Sequence, residues 1–218
     1  MKRVMFAGAF LMFFIGGVCR AEAVKEGFEN EECLKAWKID GEVKIVKDQL
    51  HSGEKSLLVP VSSSAVWQVS KENKTGTVSF WVYDSRVGLK KGSTYQFGPY
   101  FGVVNTDGEK FSLAFEQSKS GRHIWGAYYY LCSTKEYLWT DLAKTSGKIE
   151  KGWHKIKIEM PELNTIIFTL DENKPEEIDK EKSLFTKGFS GIIFGAEKDG
   201  AETFYYDDIE INFKEAVK

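Results

Sequence analysis

The feature that most constrains this chain is its punctuation. Apolar runs of strand length recur along it, separated by turn-forming residues. The clearest runs are Glu42–Lys47, Ser56–Val61, Ala65–Val69, Thr77–Tyr83, Tyr100–Val104, Lys110–Glu116, His123–Leu131, Glu136–Thr140, His154–Met160, Thr165–Leu170, Gly191–Gly195 and Thr203–Phe213. Asp40-Gly41, Ser52-Gly53, Thr75-Gly76, Asp107-Gly108, Lys151-Gly152 and Asp199-Gly200 punctuate them. No stretch keeps a helical period for three turns. Asp141–Lys151 and Asp171–Phe185 are polar and read as long loops. Roughly a dozen short strands without a linker predict an all-β chain folded as one antiparallel β-sandwich.

The first residues read as an address. Lys2 and Arg3 precede an unbroken apolar-or-glycine run, Val4 to Val18, and Ala21-Glu22-Ala23 has the small residues a signal peptidase requires. The run is shorter than the ~20 residues of a membrane-spanning helix. The expectation is a signal peptide over residues 1–23 and a single domain over 24–218. The mature protein is then secreted or periplasmic, with no membrane span after cleavage. Cleavage also removes Cys19 and leaves Cys33 and Cys132. An even pair in an oxidising compartment suggests a disulfide, and two separately buried thiols remain the alternative.

Charge is nearly balanced, with 30 Lys+Arg against 32 Asp+Glu, so the chain lacks the basic footprint of a nucleic-acid binder. The aromatic share, 14%, is the composition value that stands out. Aromatics fill β cores, and they also stack on the apolar faces of sugar rings.

Several short motifs point in the second direction. Gly27-Phe28-Glu29-Asn30, His51-Ser52-Gly53-Glu54-Lys55-Ser56-Leu57 and Phe204-Tyr205-Tyr206-Asp207-Asp208-Ile209-Glu210-Ile211 resemble the opening, an early turn and the closing strand of jelly-roll carbohydrate-binding modules. Gly76-Thr77-Val78-Ser79-Phe80-Trp81-Val82-Tyr83 and Gly152-Trp153-His154-Lys155-Ile156 are similar to strands of concanavalin A-like sandwiches. The resemblance implies a jelly-roll, concanavalin A-like sandwich, a fold that carries lectins, binding modules, glycosidases and lyases alike. It also implies a structural calcium ion between the first and last strands, held by Gly27, Glu29, Lys55 and Asp208, with Asp207 as an alternative to Asp208.

Catalysis is not expected. Glucanases of this fold carry Glu-x-Asp-x-x-Glu or Glu-x-Asp-x-Glu on one strand, and none of the strand-like runs above holds such a string. Of the three histidines only His123, beside Arg122 and near Tyr128 and Tyr130, is placed to join a lyase-type group.

Alternation puts Ser79, Trp81 and Tyr83 on one side of their strand and Phe80 on the other, so Phe80 is expected in the core and Trp81 and Tyr83 on the concave face. In the next aromatic run Trp125 lies on one side and Tyr128 and Tyr130 on the other, while Trp139 shares a side with Tyr137. Trp153 is expected to be buried. The ligand-binding candidates are therefore Trp81, Tyr83, Trp125, Tyr128, Tyr130 and Trp139. The expected partner is a polysaccharide or glycan, and the expected activity is non-catalytic binding. The alternatives are a polysaccharide-degrading enzyme, either a glycoside hydrolase or a lyase, and an envelope structural protein.

Overall fold

A computed structural model describes residues 23–84, 95–118, 123–131, 136–141, 151–178, 185–196 and 203–214. Its strands are β1 (Ala23–Glu26), β2 (Trp37–Asp40), β3 (Lys44–Val46), β4 (Ser56–Val59), β5 (Ser64–Gln68), β6 (Gly76–Asp84), β7 (Tyr95–Val104) and β8 (Lys110–Ser118), followed by β9 (His123–Leu131), β10 (Glu136–Asp141), β11 (Gly152–Met160), β12 (Ile166–Leu170), β13 (Glu176–Ile178), β14 (Gly191–Ala196) and β15 (Phe204–Phe213). A short 3₁₀ turn, Glu31–Ala36, leads into β2, and Asn30 caps it by accepting from the Glu32 N–H at 3.0 Å.

The strands form two antiparallel sheets. The first runs β13-β12-β11-β6-β15-β4-β3, with β1 also pairing β15, and the second runs β10-β9-β8-β7-β14-β5-β2. Their inner faces meet in one core, because alternation along each strand sends every second side chain inward. In β6 the buried residues Val78, Phe80 and Val82 alternate with half-buried Ser79, Trp81 and Tyr83. Phe80 and Tyr206 from the first sheet meet Phe101 and Phe194 from the second. The Tyr206 and Phe194 rings stack with centroids 4.1 Å apart, and Phe80 meets Phe194 edge to face at 5.0 Å. Much of the aromatic excess is thus core: Phe28, Phe80, Phe101, Phe111, Phe168, Phe185, Phe189, Phe194 and Tyr206 are fully buried.

Three short strands differ from the sequence expectation. β13 lies within Asp171–Phe185, which reads as a loop, and β1 and β2 lie outside every strand-like run. Each has only three or four residues and sits at a sheet edge or beside a strand end, where alternation has too few positions to register. The pairing of β1 with β15, from Ala23 opposite Asn212 to Glu26 opposite Ile209, ties the start of the sandwich to its last strand.

β15 is the strand that organises the site region. Its pairing with β6 shifts register between Asp207 and Glu210, and Asp208 has φ +48°, so the strand carries a bulge there. On its other edge β15 pairs β4 before the bulge and β1 after it. The turn at 51–54 approaches β15 at that break.

Candidate functional site

The six aromatic candidates do not share a face. Trp81 and Tyr83 belong to β6 in the first sheet, whereas Trp125, Tyr128 and Tyr130 on β9 and Trp139 on β10 belong to the second. Within the second sheet the register divides them again. Tyr128 stands opposite Ser112 and Trp139, and Tyr130 opposite Lys110 and Tyr137. On β8 the core cluster takes Phe111 and Leu113, the residues that alternate with Lys110 and Ser112. Ala127 stands opposite Leu113, a fully buried core residue, and Trp125 opposite Phe115. The alternation in the sequence already sets Trp125 apart from Tyr128 and Tyr130.

The outer face of the second sheet is sheltered, although it is not core. Ser112, Ala114, Val104 and Ile193 are all buried, yet none belongs to the hydrophobic cluster between the sheets. They alternate with inward-facing Phe111, Leu113, Val103, Ile192 and Phe194. Two glycines shape this face. A Cβ on Gly102 would come within 2.0 Å of the Phe111 carbonyl oxygen, and one on Gly191 within 2.2 Å of the Trp67 carbonyl oxygen. Only glycine lets neighbouring backbones approach so closely there. The Tyr100 ring lies over Gly195, where any side chain would collide with it. The outer face thus has a floor of small residues, a tyrosine laid along it, and further aromatic positions in register on β9 and β10.

The outer face of the first sheet is aromatic at one end. His51 lies flat on Trp81, with ring centroids 3.8 Å apart and planes 18° from parallel. Trp153 meets His51 at 5.7 Å and Tyr83 at 5.4 Å, both edge to face. Tyr83 meets Tyr205 at 6.1 Å and 87°. Trp153 is thus half-buried on the outer face rather than buried in the core. The alternation on β11 sends His154 inward and Trp153 outward. Lys155 places its ammonium 6.0 Å from the Trp81 ring centre.

Beside this cluster lies the bulge. Asp207 is fully buried and accepts from the His51 N–H at 3.1 Å and the Ser52 N–H at 3.2 Å, while its other oxygen accepts from the Asp208 N–H at 2.8 Å. Burial holds its carboxyl above the ordinary range, and the backbone donors pull the other way. Asp208 takes the Ser52 hydroxyl on one oxygen at 2.7 Å and faces His51 Nδ1 with the other at 2.6 Å.

The residues expected to hold calcium gather in part. A Cβ placed on Gly27 would sit 3.9 Å from Asp208 Oδ1, and a notch of about 270 Å³ lined by Lys25, Glu26, Gly27, Asp208, Ile209 and Glu210 opens beside them. Glu29 is tied to the same turn, accepting from the Glu54 N–H at 2.9 Å, while the Lys55 ammonium reaches Glu31 at 3.6 Å. Among the described residues no three His, Cys, Asp or Glu side chains converge as a metal cluster. Any ion here would lean on backbone carbonyls and share Asp208 with Ser52 and His51.

Cys33 sits half-buried in the 3₁₀ turn as a free thiol. Burial, reinforced by the Glu26 carboxylate, pushes its pKa up to about 12. Cys132 lies outside the described residues, immediately after the end of β9. Cys33 leads into β2, and β8, β7, β14 and β5 separate β9 from β2.

Outside the strand-like runs, two acidic strings do have glucanase-type spacing. Glu177-Ile178-Asp179-Lys180-Glu181 starts within β13 and passes beyond the described residues, and Glu197-Lys198-Asp199-Gly200-Ala201-Glu202 follows β14 and lies wholly outside them. Their presence removes the absence on which the expectation of no catalysis rested. His123 begins β9, opposite Gln117.

No protein-family model and no curated protein matches the chain. Solved structures do. A glycoside hydrolase family 16 endo-glucanase from Bacteroides ovatus aligns over 86% of this chain and 99% of its own, with a TM-score of 0.55 at 13% identity. A carbohydrate esterase from Shiga toxin-encoding bacteriophage phi24B aligns over 88% and 100%, with a TM-score of 0.53 at 12% identity. The receptor-binding domain of a botulinum neurotoxin C/D mosaic serotype aligns over 84% of this chain and 43% of its own, with a TM-score of 0.51 at 14% identity. At such identities the likeness establishes the jelly-roll, concanavalin A-like sandwich.

Proposed function

We propose that the protein is an extracytoplasmic, non-catalytic carbohydrate-binding protein whose polysaccharide ligand lies across the outer face of the second sheet. The observation that carries this reading is the sheltered surface outside the core, with small residues at Gly102, Ser112, Ala114 and Gly191 and aromatic positions at Tyr100, Tyr128, Tyr130 and Trp139. Small residues keep side-chain bulk off this face, and the aromatic positions would supply faces for the apolar sides of sugar rings. The glucanase and esterase that share the fold are named for carbohydrate chemistry, which is consistent with this reading.

Export is proposed from Lys2-Arg3, the apolar run Val4–Val18 and Ala21-Glu22-Ala23. Among the described residues no helix is long and apolar enough to cross a membrane. Cleavage after Ala23 keeps Val24 to Glu26, which pair β15. N-terminal sequencing of exported protein should begin at Val24, and an intact Met1 would refute this. Calcium is proposed at the seam of β1, the 51–55 turn and β15, as a structural ion.

A second reading, a polysaccharide hydrolase on the same fold, is favoured by one observation, the spacing of Glu197, Asp199 and Glu202 directly after β14. A turnover assay on barley mixed-linkage β-glucan, laminarin and xylan separates the two. Binding without reducing-end release supports the first, and release abolished by Glu197→Gln supports the second.

A further inference from the structure

The aromatic end of the first sheet's outer face is on the opposite layer from the surface proposed above, and it calls for its own explanation. Outward positions of an exposed sheet face normally carry polar residues. Here they do so further along, at Thr77, Ser79, Lys157, Glu159, Glu210 and Asn212. At one end the pattern changes to Trp81 and Tyr83 on β6, Trp153 on β11 and Tyr205 on β15, with His51 added from the turn.

The rings are held by one another and by the bulge. Asp207 and Asp208 fix His51 and Ser52, His51 fixes Trp81, and Trp153 fits against both His51 and Tyr83. Tyr83 meets both Trp153 and Tyr205 edge to face, so these three rings do not use up their faces on parallel stacking with each other. Polar groups stand at the edge of the cluster. The Asp208 side chain is 34% exposed and that of His51 25% exposed, and the Ser52 hydroxyl and the Lys155 ammonium lie beside them.

The size of the patch selects its occupant. Four half-buried aromatic side chains of ~200 Å² each leave on the order of 250 Å² of ring surface open. A stable protein interface needs ~800 Å² per partner. The open surface instead matches one or two pyranose rings, whose apolar faces suit the aromatics and whose hydroxyls suit Asp208, His51 and Ser52.

We propose that Trp81, Tyr83, Trp153 and Tyr205, with His51 and Asp208 at their edge, form a second carbohydrate site on the first sheet that takes a short segment or end of a glycan. The proposal does not rest on the second-sheet reading. A protein with both sites engages two glycan segments at once, which raises its avidity for polymers above that for short oligosaccharides.

The test is ¹H–¹⁵N NMR of the full mature chain, following the tryptophan indole signals during titration with cellohexaose, laminarihexaose, xylohexaose and mannohexaose to 10 mM. The signals of Trp81 and Trp153 should shift with at least one of them, and Tyr83→Ala should weaken that response at least tenfold. If Trp81 and Trp153 stay unmoved with all four sugars, the second site is refuted, whatever Trp139 does. Movement of Trp139 alone leaves the second-sheet reading standing. Movement of Trp81 and Trp153 alone supports this site and counts against the other.

Discussion

The His51 imidazole lies flat on the Trp81 indole with centroids 3.8 Å apart, and its Nδ1 is 2.6 Å from Asp208 Oδ2. A turn residue thus joins β6 to the bulge of β15, some 157 positions away in sequence. Local stacking and a long-range hydrogen bond are coupled in one side chain.

That coupling is measurable. Ring pairs and hydrogen bonds to charged groups each contribute about 1 kcal/mol or more. His51→Ala should lower the unfolding free energy by about 1–2 kcal/mol. A double-mutant cycle with Trp81→Ala, read by urea denaturation, should return a coupling energy of about 1 kcal/mol. Strict additivity would mean that the stacked geometry contributes nothing.

Gly102→Ala probes the close approach of β7 and β8. The new Cβ would meet the Phe111 carbonyl oxygen at 2.0 Å, a backbone atom that cannot swing aside. Forcing the strands apart should cost about 2–3 kcal/mol, by the scale of overpacking, and should weaken polysaccharide binding at the same time. A variant with wild-type denaturation would show that close strand approach is not required there.

Cys33 should be an unreactive thiol. With a pKa near 12 against an ordinary 9.0, its thiolate is scarce at pH 8. In a Cys132→Ser variant, iodoacetamide should modify it roughly a hundredfold or more slowly than a model thiol. The folded pKa lies above the unfolded one, so the stabilisation is complete below about pH 9 and is lost as pH rises toward 12. Rapid alkylation of the native protein at pH 8 would contradict this environment. A Cys33–Cys132 link in mass spectrometry of non-reduced wild-type peptides would show instead that the pair is bridged.

Calcium binding is tested by melting curves. An ion at one hundred times its dissociation constant adds about 2.7 kcal/mol. For a domain of this size, that is on the order of 5–10 °C. Millimolar calcium should raise the melting temperature relative to chelator, and Asp208→Ala should abolish the difference. Superimposable wild-type curves would leave the seam held by the β1–β15 ladder and by the ties of His51, Ser52 and Glu54, with no ion.

The sequence carries the sandwich in its alternation and punctuation. The run Val78–Tyr83 places Phe80 inside and Trp81 and Tyr83 outside, as the structure does. Which sheet a strand joins is set by pairings such as Trp81 opposite Asp207, made between residues far apart in sequence, and alternation does not encode them. For that reason Trp81 and Tyr83 separate from Tyr128, Tyr130 and Trp139. Trp153 illustrates the same limit, since its face depends on where β11 starts against β6. The tie between Asp208 and the 51–54 turn was legible as a pair of motifs, whereas the role of His51 in stacking on Trp81 had no local signal.

The most direct test of the central claim is native affinity electrophoresis through gels containing barley mixed-linkage β-glucan, laminarin or xylan. At least one polymer should retard the wild-type protein. A Tyr128→Ala, Tyr130→Ala, Trp139→Ala variant whose melting temperature stays close to wild type should lose at least tenfold in affinity. Unchanged mobility of the wild-type protein in every gel, or full retardation of the folded triple variant, would contradict the claim.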